Sequence, residues 1–392
     1  MSIILAILVL GLIITVHEFG HFLVAKFFKV PVREFSIGMG PRIISKVINN
    51  TRYSLKAFPI GGSCAMIGED DAGSGDFTHV EGVKIDENGL YDFDGVKFTE
   101  EEIKNNNFQV IVPIKKCIIC LAGPGMNFLL AFLLSIILVS NIGFDVPIIS
   151  SVAENSAASI AMPYMLEKGD EIIGLEIPGE KENVICYRDL ALFMQLNNDD
   201  LIKNNYPLVI TFKRNGETLK TSVLPKFDSK QGRAIIGITF EDMYKKPVGI
   251  IETSNYAFKE FYFYIKTTVM SLRLLLRGKL GAKDVSGPVG TVAVMGNAIS
   301  EAHKFSFMSM VYTLITMIVL ISANLGVMNL LPIPALDGGR IVFAAIEMIL
   351  GKPINKDLEN AANAVTMILL LIFMMWIFGM DIYKLLSGSL FN

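Results

Sequence analysis

Residues 13–25 read IITVHEFGHFLVA and place two histidines and a glutamate inside a run of apolar residues. This run, Ile3–Phe28, exceeds the roughly 20 residues that a helix needs to cross a bilayer. Ionisable side chains in hydrocarbon are costly, so we expect them to face a protein interior or a water-filled cavity. His17 and His21 are four positions apart and share one helix face, where both imidazoles can bind a single zinc ion. Glu18 can accept a proton from water at that metal.

The composition is typical of a membrane protein. Of the 392 residues, 52% are hydrophobic and 19% are charged, whereas ordinary soluble domains contain about 45–50% and about 25%. Four apolar runs are long enough to span a bilayer: Ile3–Phe28, Cys117–Ile142, Phe307–Leu331 and Ala361–Leu385. The first run has no basic residue before it and no cleavage pattern after it, so we expect a retained span. The net charge of −3 and the lack of a basic stripe argue against nucleic-acid binding.

Basic residues predict the orientation in the membrane. They cluster after the first run and before the second: Lys26, Lys29, Arg33, Arg42, Lys46, Arg52, Lys56, Lys115 and Lys116. By the positive-inside bias, the connection 29–116 is cytoplasmic, and both termini and the segment after the second run are extracytoplasmic. His17 lies about 25 Å along the first helix, at about 1.5 Å per residue. We therefore expect the metal site towards the cytoplasmic side of the membrane.

The stretches outside the apolar runs differ in pattern. Residues 29–68 predict a β-hairpin or small sheet at the membrane, whose edge could accept a substrate segment as an added strand. Residues 69–114 form an insertion that we expect to be solvated, because it is acidic and rich in turn residues. Calcium binding is the alternative, but the aspartate spacing fits no EF-hand loop. Residues 146–246 contain short strands and a hairpin turn at 214–217. Residues 247–306 begin with an apolar, aromatic segment that favours a helix on the membrane surface.

The third metal ligand is expected far along the chain, because a catalytic zinc keeps three protein ligands and one open position. Asp337 is the candidate, in the stretch NLLPIPALDGG at residues 329–339. The two prolines interrupt the third apolar run and free backbone carbonyls, which a membrane protein tolerates at a cavity. Taken alone, Asp337 could equally cap the helix expected at Arg340–Leu350. The two histidines in the same membrane favour ligation, and the glycines after Asp337 are expected to let another helix approach.

Several motifs, taken in order, resemble the site-2 protease family of intramembrane zinc metalloproteases, in its bacterial form with a PDZ domain. They are HEFGH (17–21), PIGG (59–62), AGPGMN (122–127), SGPVG (286–290), and NLG (324–326) leading into residues 329–340. Together they cover most of the chain outside the acidic insertion. The resemblance implies a metalloendopeptidase that binds Zn²⁺.

The resemblance also implies roles for individual residues. His17, His21 and Asp337 correspond to the zinc ligands, and Glu18 to the general base. Asn324 and Asn329 correspond to substrate-binding asparagines near the scissile bond. Asn127 corresponds to an asparagine that helps to receive the substrate, and an interhelical hydrogen bond is an equal alternative for it.

The function implied by the resemblance is cleavage of transmembrane segments in membrane-protein substrates, such as anti-sigma factors or signal-peptide remnants. Another protease usually trims the outer part of the substrate first.

The alternative is a non-catalytic membrane scaffold with a structural zinc, whose PDZ-like domain binds extracytoplasmic peptides. Glu18 discriminates between them, since a structural site does not need it. A peptidase class with a glutamate ligand fails for want of a suitable glutamate downstream. Within a protease, the PDZ-like domain could bind peptides or exclude large substrates.

We therefore expect an α-helical polytopic protein of the bacterial cytoplasmic membrane. It has four transmembrane helices, a cytoplasmic β-hairpin or small sheet, and one extracytoplasmic PDZ-like α+β domain. The expected segments are the first helix with the zinc motif (1–28), the hairpin (29–68), the acidic insertion (69–114), the second helix (115–145), the PDZ-like domain (146–246), the surface helix and connector (247–306), the third transmembrane segment (307–351), and the fourth helix with the C-terminus (352–392). Its expected partners are transmembrane protein substrates and the lipid bilayer.

Overall fold

The computed structural model describes residues 2–69, 84–87, 89–229, 232–240, 244–279, 281 and 286–387. The acidic stretch 70–83, the first part of the predicted solvated insertion, lies outside the described residues. The helices are α1 (Ser2–Phe27), α2 (Glu100–Asn106), α3 (Pro113–Ile142), α4 (Tyr187–Leu196), α5 (Asn198–Lys203), α6 (Gly249–Leu276), α7 (Pro288–Phe305), α8 (Phe307–Asn329), α9 (Asp337–Leu350) and α10 (Lys356–Leu386).

Four of these helices are long and apolar enough to cross a membrane. They are Ser2–Phe27, Pro113–Ile142, Phe307–Asn329 and Asp357–Leu386. They coincide with the predicted runs to within a few residues, so the prediction of a mostly helical protein with four candidate spans is confirmed. The chain is a membrane protein.

The third predicted membrane segment is not one continuous helix. α8 ends at Asn329, and α9 starts only at Asp337. Between them, Pro332 and Pro334 cannot donate backbone hydrogen bonds, and Ala335 has a left-handed φ of 69°. The helix therefore breaks beside the residue predicted to bind metal.

The strands β1 (Val32–Ile48) and β2 (Thr51–Met66) form a sheet that folds back on itself. Their far halves pair from Ile48–Thr51 to Arg42–Lys56. β1 bends at Gly38 and Gly40, which have φ of 83° and 88°, values that glycine adopts without steric cost. As a result Phe35 has a β2 partner on each side, Tyr53 and Cys64. The predicted hairpin exists, with two long bent strands in place of short ones.

This β1–β2 sheet lies along the first membrane helix. A Cβ at Gly11 would meet the Pro59 carbonyl oxygen at 2.3 Å, so only glycine permits this approach. Four residues further along α1, the Thr15 hydroxyl donates to the Gly11 carbonyl over 2.8 Å and lies 3.4 Å from the Gly61 carbonyl oxygen. The sheet thus reaches the middle of the first span. Apolar side chains exposed on its far half, such as Ile43, Ile44 and Phe58, match a lipid environment.

The described part of the insertion is a small sheet followed by a helix. Its strands are β3 (Lys84–Ile85), β4 (Tyr91–Phe93) and β5 (Val96–Phe98), and α2 follows with a capping box between Thr99 and Glu102. The turn residue Asp94 accepts hydrogen bonds from Arg42 and, through its carbonyl, from Arg52. The insertion is therefore attached to the β1–β2 sheet by charged contacts.

Residues Ser135–Phe263 form a compact unit of their own, and residues 1–134 with 264–392 form the other. The strands of the unit are β6 (Phe144–Asp145), β7 (Ser151–Val152), β8 (Glu171–Ile177), β9 (Glu180–Asn183), β10 (Leu208–Arg214), β11 (Glu217–Val223), β12 (Lys226–Asp228), β13 (Arg233–Ile235), β14 (Ile238–Thr239) and β15 (Tyr244–Lys245). Four of them form a sheet in the order β11-β10-β8-β9. The predicted turn occurs at Asn215 and Gly216, with φ of 51° and 86°. The apolar residues 235–238 do not form one continuous strand, because Gly237 has a φ of 80° between β13 and β14.

The core of the Ser135–Phe263 unit lies between its four-stranded sheet and α4. Alternate residues of β10, namely Leu208, Ile210 and Phe212, are fully buried, as expected for a strand with one face on a core. Phe193 of α4 packs in the same cluster. The period-two pattern of β10 therefore orients the sheet against the helix.

Candidate metal centre

Two glycines let α1 and α3 come close enough for the histidines to lie between them. A Cβ at Gly20 would meet the Ala122 carbonyl oxygen at 2.3 Å. A Cβ at Gly123 would lie 2.3 Å from His21 Nε2 and 2.8 Å from His17 Cε1. The two imidazoles therefore occupy the space that a larger side chain at position 123 would fill.

The structure brings His17, His21 and Asp337 together. His17 Nε2 lies 3.2 Å from His21 Nε2 and 3.1 Å from Asp337 Oδ2, and His21 Nε2 lies 3.4 Å from Asp337 Oδ1. Both histidines are buried, and Asp337 is half-buried. The residues predicted from the first and third apolar runs thus meet at one point.

Asp337 is held there by the chain break between α8 and α9. It is the first residue of α9, where Leu336 occupies the N-cap position without a side-chain hydrogen bond. A Cβ at Gly338 would meet the carbonyl oxygens of Leu331 and Leu330 at 2.2 and 2.4 Å. The expectation that these glycines admit another helix is therefore wrong. They admit the carbonyls of the preceding loop, which folds tightly onto the first turn of α9.

The far side of each imidazole also has a partner. His21 Nδ1 donates to the Ile119 carbonyl over 2.8 Å, since a carbonyl oxygen can only accept. His17 Nδ1 lies 3.2 Å from the side-chain amide nitrogen of Asn127. Asn127 is fully buried. Both rings therefore present Nε2 towards Asp337.

Glu18 is positioned by the edge of the β1–β2 sheet. Its Oε2 accepts a hydrogen bond from the backbone N–H of Cys64 over 3.1 Å. Cys64 lies in the last part of β2, where Phe35 is its strand partner. The sheet and the metal motif are thus joined by a main-chain contact.

These side chains line a cavity of about 150 Å³, which has room for several water molecules. Asn329 lines it with its amide nitrogen 3.2 Å from His17 Nε2. Asn324 does not line this cavity; its side-chain oxygen accepts from the Thr268 hydroxyl. The lining consists of His17, Glu18, His21, Cys64, Met66, Glu69, Ile119, Cys120, Asn329, Ala335, Leu336, Asp337 and Arg340.

A charged pair closes one side of the cavity. Arg340, one turn after Asp337 on α9, donates to the carboxylate of Glu69, and both side chains are largely buried. The guanidinium of an arginine is effectively always protonated in proteins, and the Glu69 carboxylate compensates its charge here. Arg340 therefore stays protonated beside the donor set.

The donor set fits zinc. Tetrahedral ligands about 2.0–2.1 Å from one ion lie roughly 3.3 Å apart, and the three distances between the His17, His21 and Asp337 atoms are 3.1–3.4 Å. Asp337 Oδ2 is also a buried oxygen without a hydrogen-bond partner in the described part of the chain. A cation between these atoms would satisfy it. Two imidazoles and a carboxylate with an adjacent water-sized cavity are a catalytic rather than a closed set.

Sequence reasoning missed the groups that orient these side chains. Ile119 and Cys64 act through backbone atoms, so their side chains carry no signal. Gly123 lies within a quoted motif, and a glycine four residues before a buried asparagine on an apolar helix could have indicated a close approach.

Comparisons with known proteins agree with this geometry. The model of peptidase family M50 matches residues 5–373. The chain is 33% identical over 373 residues to a Clostridium acetobutylicum protein named as a zinc metalloprotease, across 95% of both chains. It is 33% identical over 392 residues to a Fusobacterium nucleatum protein with the same description, across 99% of this chain and 100% of the relative. It is 30% identical over 437 residues to the zinc metalloprotease RasP of Geobacillus kaustophilus, across 98% of both. The chain therefore belongs to peptidase family M50, the site-2 protease family, and is a zinc metalloprotease.

Proposed function

We propose that this metalloprotease cleaves transmembrane segments of other membrane proteins within the bilayer. The observation that carries the proposal is the meeting of His17, His21 and Asp337 beside a small cavity between membrane helices. In this assignment they are the zinc ligands and Glu18 is the general base. Bound zinc polarises a carbonyl and activates water for attack.

The chain's own groups supply the remaining steps. The Glu18 carboxylate accepts a proton from the attacking water and passes it to the leaving amine. The Cys64 N–H holds that carboxylate towards the cavity. The Asn329 amide, which lines the cavity, is placed to donate to the substrate carbonyl oxygen. Asn324, five residues before Asn329 on α8, is a further substrate-binding residue in this proposal.

The substrate segment is held as an added strand. A membrane helix hides its carbonyls in hydrogen bonds, so it must unwind before attack. The end of β2, residues 62–66, pairs with β1 on one side and with no strand of the described chain on the other. The N–H groups of Cys64 and Met66 donate to the carboxylates of Glu18 and Glu69, which a paired substrate would have to replace as acceptors. Because Cys64 on this edge contacts Glu18, an extended segment paired there would pass the general base.

The proposed topology follows the charge distribution. The N- and C-termini are extracytoplasmic, the connection 29–116 is cytoplasmic, and the site lies towards the cytoplasmic side. The predicted domain boundaries are kept, with the third segment divided into α8 and α9.

Residues 146–246, which lie within the Ser135–Phe263 unit, are proposed to be the extracytoplasmic PDZ-like domain. Its α4 and the chain at 232–240 line a groove of about 620 Å³, large enough for a peptide. The groove could capture a trimmed substrate, or the domain could exclude untrimmed ones by size. The non-catalytic scaffold alternative would use the same groove, but it does not fit a zinc metalloprotease of family M50.

The test replaces the general base. Glu18→Gln keeps the shape of the side chain but cannot accept a proton, so we expect cleavage of a reporter with one transmembrane segment to fall by about 10²–10⁴-fold. Zinc content, measured by elemental analysis of the purified protein, should be unchanged. Glu101→Gln, at an exposed position in α2, is the matched control and should cleave normally.

Two outcomes would contradict the proposal. Full activity of Glu18→Gln would remove Glu18 from the mechanism. Purified wild-type protein that holds zinc but cleaves neither the reporter nor cellular membrane proteins would support the scaffold alternative.

A further inference from the structure

One fully buried amide, that of Asn127, touches a histidine of the proposed metal centre. Its nitrogen lies 3.2 Å from His17 Nδ1, and its oxygen is a buried atom without a hydrogen-bond partner in the described part of the chain. Asn127 does not line the cavity, although the resemblance implies that it receives substrate. Its environment therefore calls for another role.

The position of His17 restricts which nitrogen carries the proton. Nε2 faces Asp337 Oδ2 and His21 Nε2, so it is the nitrogen directed at the metal position. A neutral imidazole has one N–H, and a ligating nitrogen must offer its lone pair. His17 Nδ1 must then carry the hydrogen, and this N–H needs an acceptor.

The Asn127 amide can supply that acceptor. With its nitrogen facing His17 Nδ1, two donors would meet while the amide oxygen stays unpaired. The oxygen and nitrogen of an amide have nearly the same shape, and the hydrogen-bond network decides their assignment. A half-turn of the amide brings the oxygen to the Nδ1–H. We propose that Asn127 is a positioning residue, whose amide oxygen accepts from His17 Nδ1 and so holds Nε2 as a zinc ligand.

The second histidine has the same arrangement with a different acceptor. His21 Nδ1 donates to the Ile119 carbonyl. Ile119, Gly123 and Asn127 follow one another at four-residue steps and so share one face of α3. On this face the Ile119 backbone carbonyl accepts a hydrogen bond from His21, and Gly123 leaves room for both imidazole rings. In the proposed arrangement the Asn127 side-chain oxygen accepts from His17. The hydroxyl of Ser322 in α8 donates to the backbone carbonyl of Asn127 over 2.9 Å, which fixes this turn of α3.

This inference rests on the proposed zinc site, and outer acceptors of this kind typically change metal affinity by 10–100-fold. The test measures the zinc dissociation constant of the full-length protein in detergent, by competition with a chromogenic chelator. Asn127→Leu keeps the approximate size and removes the acceptor, so we expect zinc to bind about 10–100-fold more weakly. Asn127→Asp restores an acceptor and should recover most of the affinity.

A matched control and a second readout separate this role from others. Asn141→Leu lies on the same helix at an exposed position, where the amide donates to the Ile137 carbonyl, and it should bind zinc like the wild type. At saturating zinc, Asn127→Leu should recover kcat with an unchanged KM. A raised KM with unchanged zinc affinity would overturn the proposal and assign Asn127 to substrate binding.

The remaining outcomes are also decisive. Equal zinc affinity of Asn127→Leu, Asn127→Asp and the wild type would overturn the role of Asn127 while the metal site stands. A wild-type protein that binds no zinc would overturn the metal site itself. Circular dichroism verifies the fold, and Asn127→Ala serves as the acceptor-free variant if the leucine disturbs packing.

Discussion

Gly123 is the residue on which the placement of the two imidazoles depends most directly. Any side chain there would start 2.3 Å from His21 Nε2, well inside contact distance. Two residues later on the same helix, a Cβ at Gly125 would meet nothing within 4 Å. The same substitution at these two positions therefore has opposite consequences for the metal centre.

We predict that Gly123→Ala loses zinc and proteolytic activity, because the new methyl group displaces the rings from their shared position. Gly123→Ala and Gly125→Ala each favour the helix by up to about 1 kcal/mol. A difference in zinc content between these two variants therefore reports the contact with the histidines. Zinc content and reporter cleavage of Gly125→Ala should match the wild type. A Gly123→Ala protein with full zinc occupancy would contradict the geometry described for α1 and α3.

At the scale of elements, α9 is fixed by two ion pairs, one near its start and one near its end. Arg340 pairs with Glu69, which follows β2, and Glu347 pairs with Lys116 at the start of α3 over 2.8 Å. Buried pairs of this kind are stronger evidence for a fixed geometry than for added stability. The helix that carries Asp337 is thereby held against both the sheet and the second span.

The start of α7 is fixed by a carboxylate from another helix. Asp381 of α10 is fully buried and accepts from the backbone N–H groups of Gly287 and Gly290, over 3.1 and 2.7 Å. A Cβ at either glycine would lie 2.8 Å from an Asp381 oxygen. The SGPVG motif is therefore a docking point for α10, in which Pro288 starts the helix and the glycines admit the carboxylate.

Asp381→Ala should lower the free energy of unfolding by about 1–2 kcal/mol, because it leaves two buried N–H groups without an acceptor. Thermal unfolding in detergent, followed by circular dichroism, measures this effect. Asp357→Ala, at an exposed site in the first turn of the same helix, is the control and should be milder. Equal melting temperatures for Asp381→Ala and the wild type would argue against this cap.

At the scale of the whole molecule, we expect from the charge distribution that residues 69–114 are cytoplasmic and residues 146–246 extracytoplasmic. All four native cysteines are buried, so an introduced exposed cysteine dominates the labelling signal. Lys181→Cys should react with a membrane-impermeant maleimide in intact cells. Lys104→Cys should react only after the cells are opened, and the reverse pattern would invert the topology.

The sequence predicted the spans and the meeting of His17, His21 and Asp337, because hydropathy and ligand spacing are properties of the residues themselves. The sequence could not predict the hydrogen bonds that orient the Glu18 and His21 side chains. The Cys64 N–H and the Ile119 carbonyl exist in every residue type, and only the tertiary approach of β2 and α3 selects them. The bend of β1 likewise depends on which halves of β1 and β2 pair with each other. Glycines permit such a bend, but they do not determine the pairing.

Main-chain atoms at Cys64 and Ile119 are invisible to side-chain truncation. An alanine scan would leave the amide that steadies the general base and the carbonyl that orients His21 untouched, and any effect it measured at these buried positions would come from side-chain packing. Cys64→Pro removes the N–H itself and would reveal the contact. A substitution that preserves the core packing at either position therefore leaves the main-chain contact with Glu18 or His21 in place.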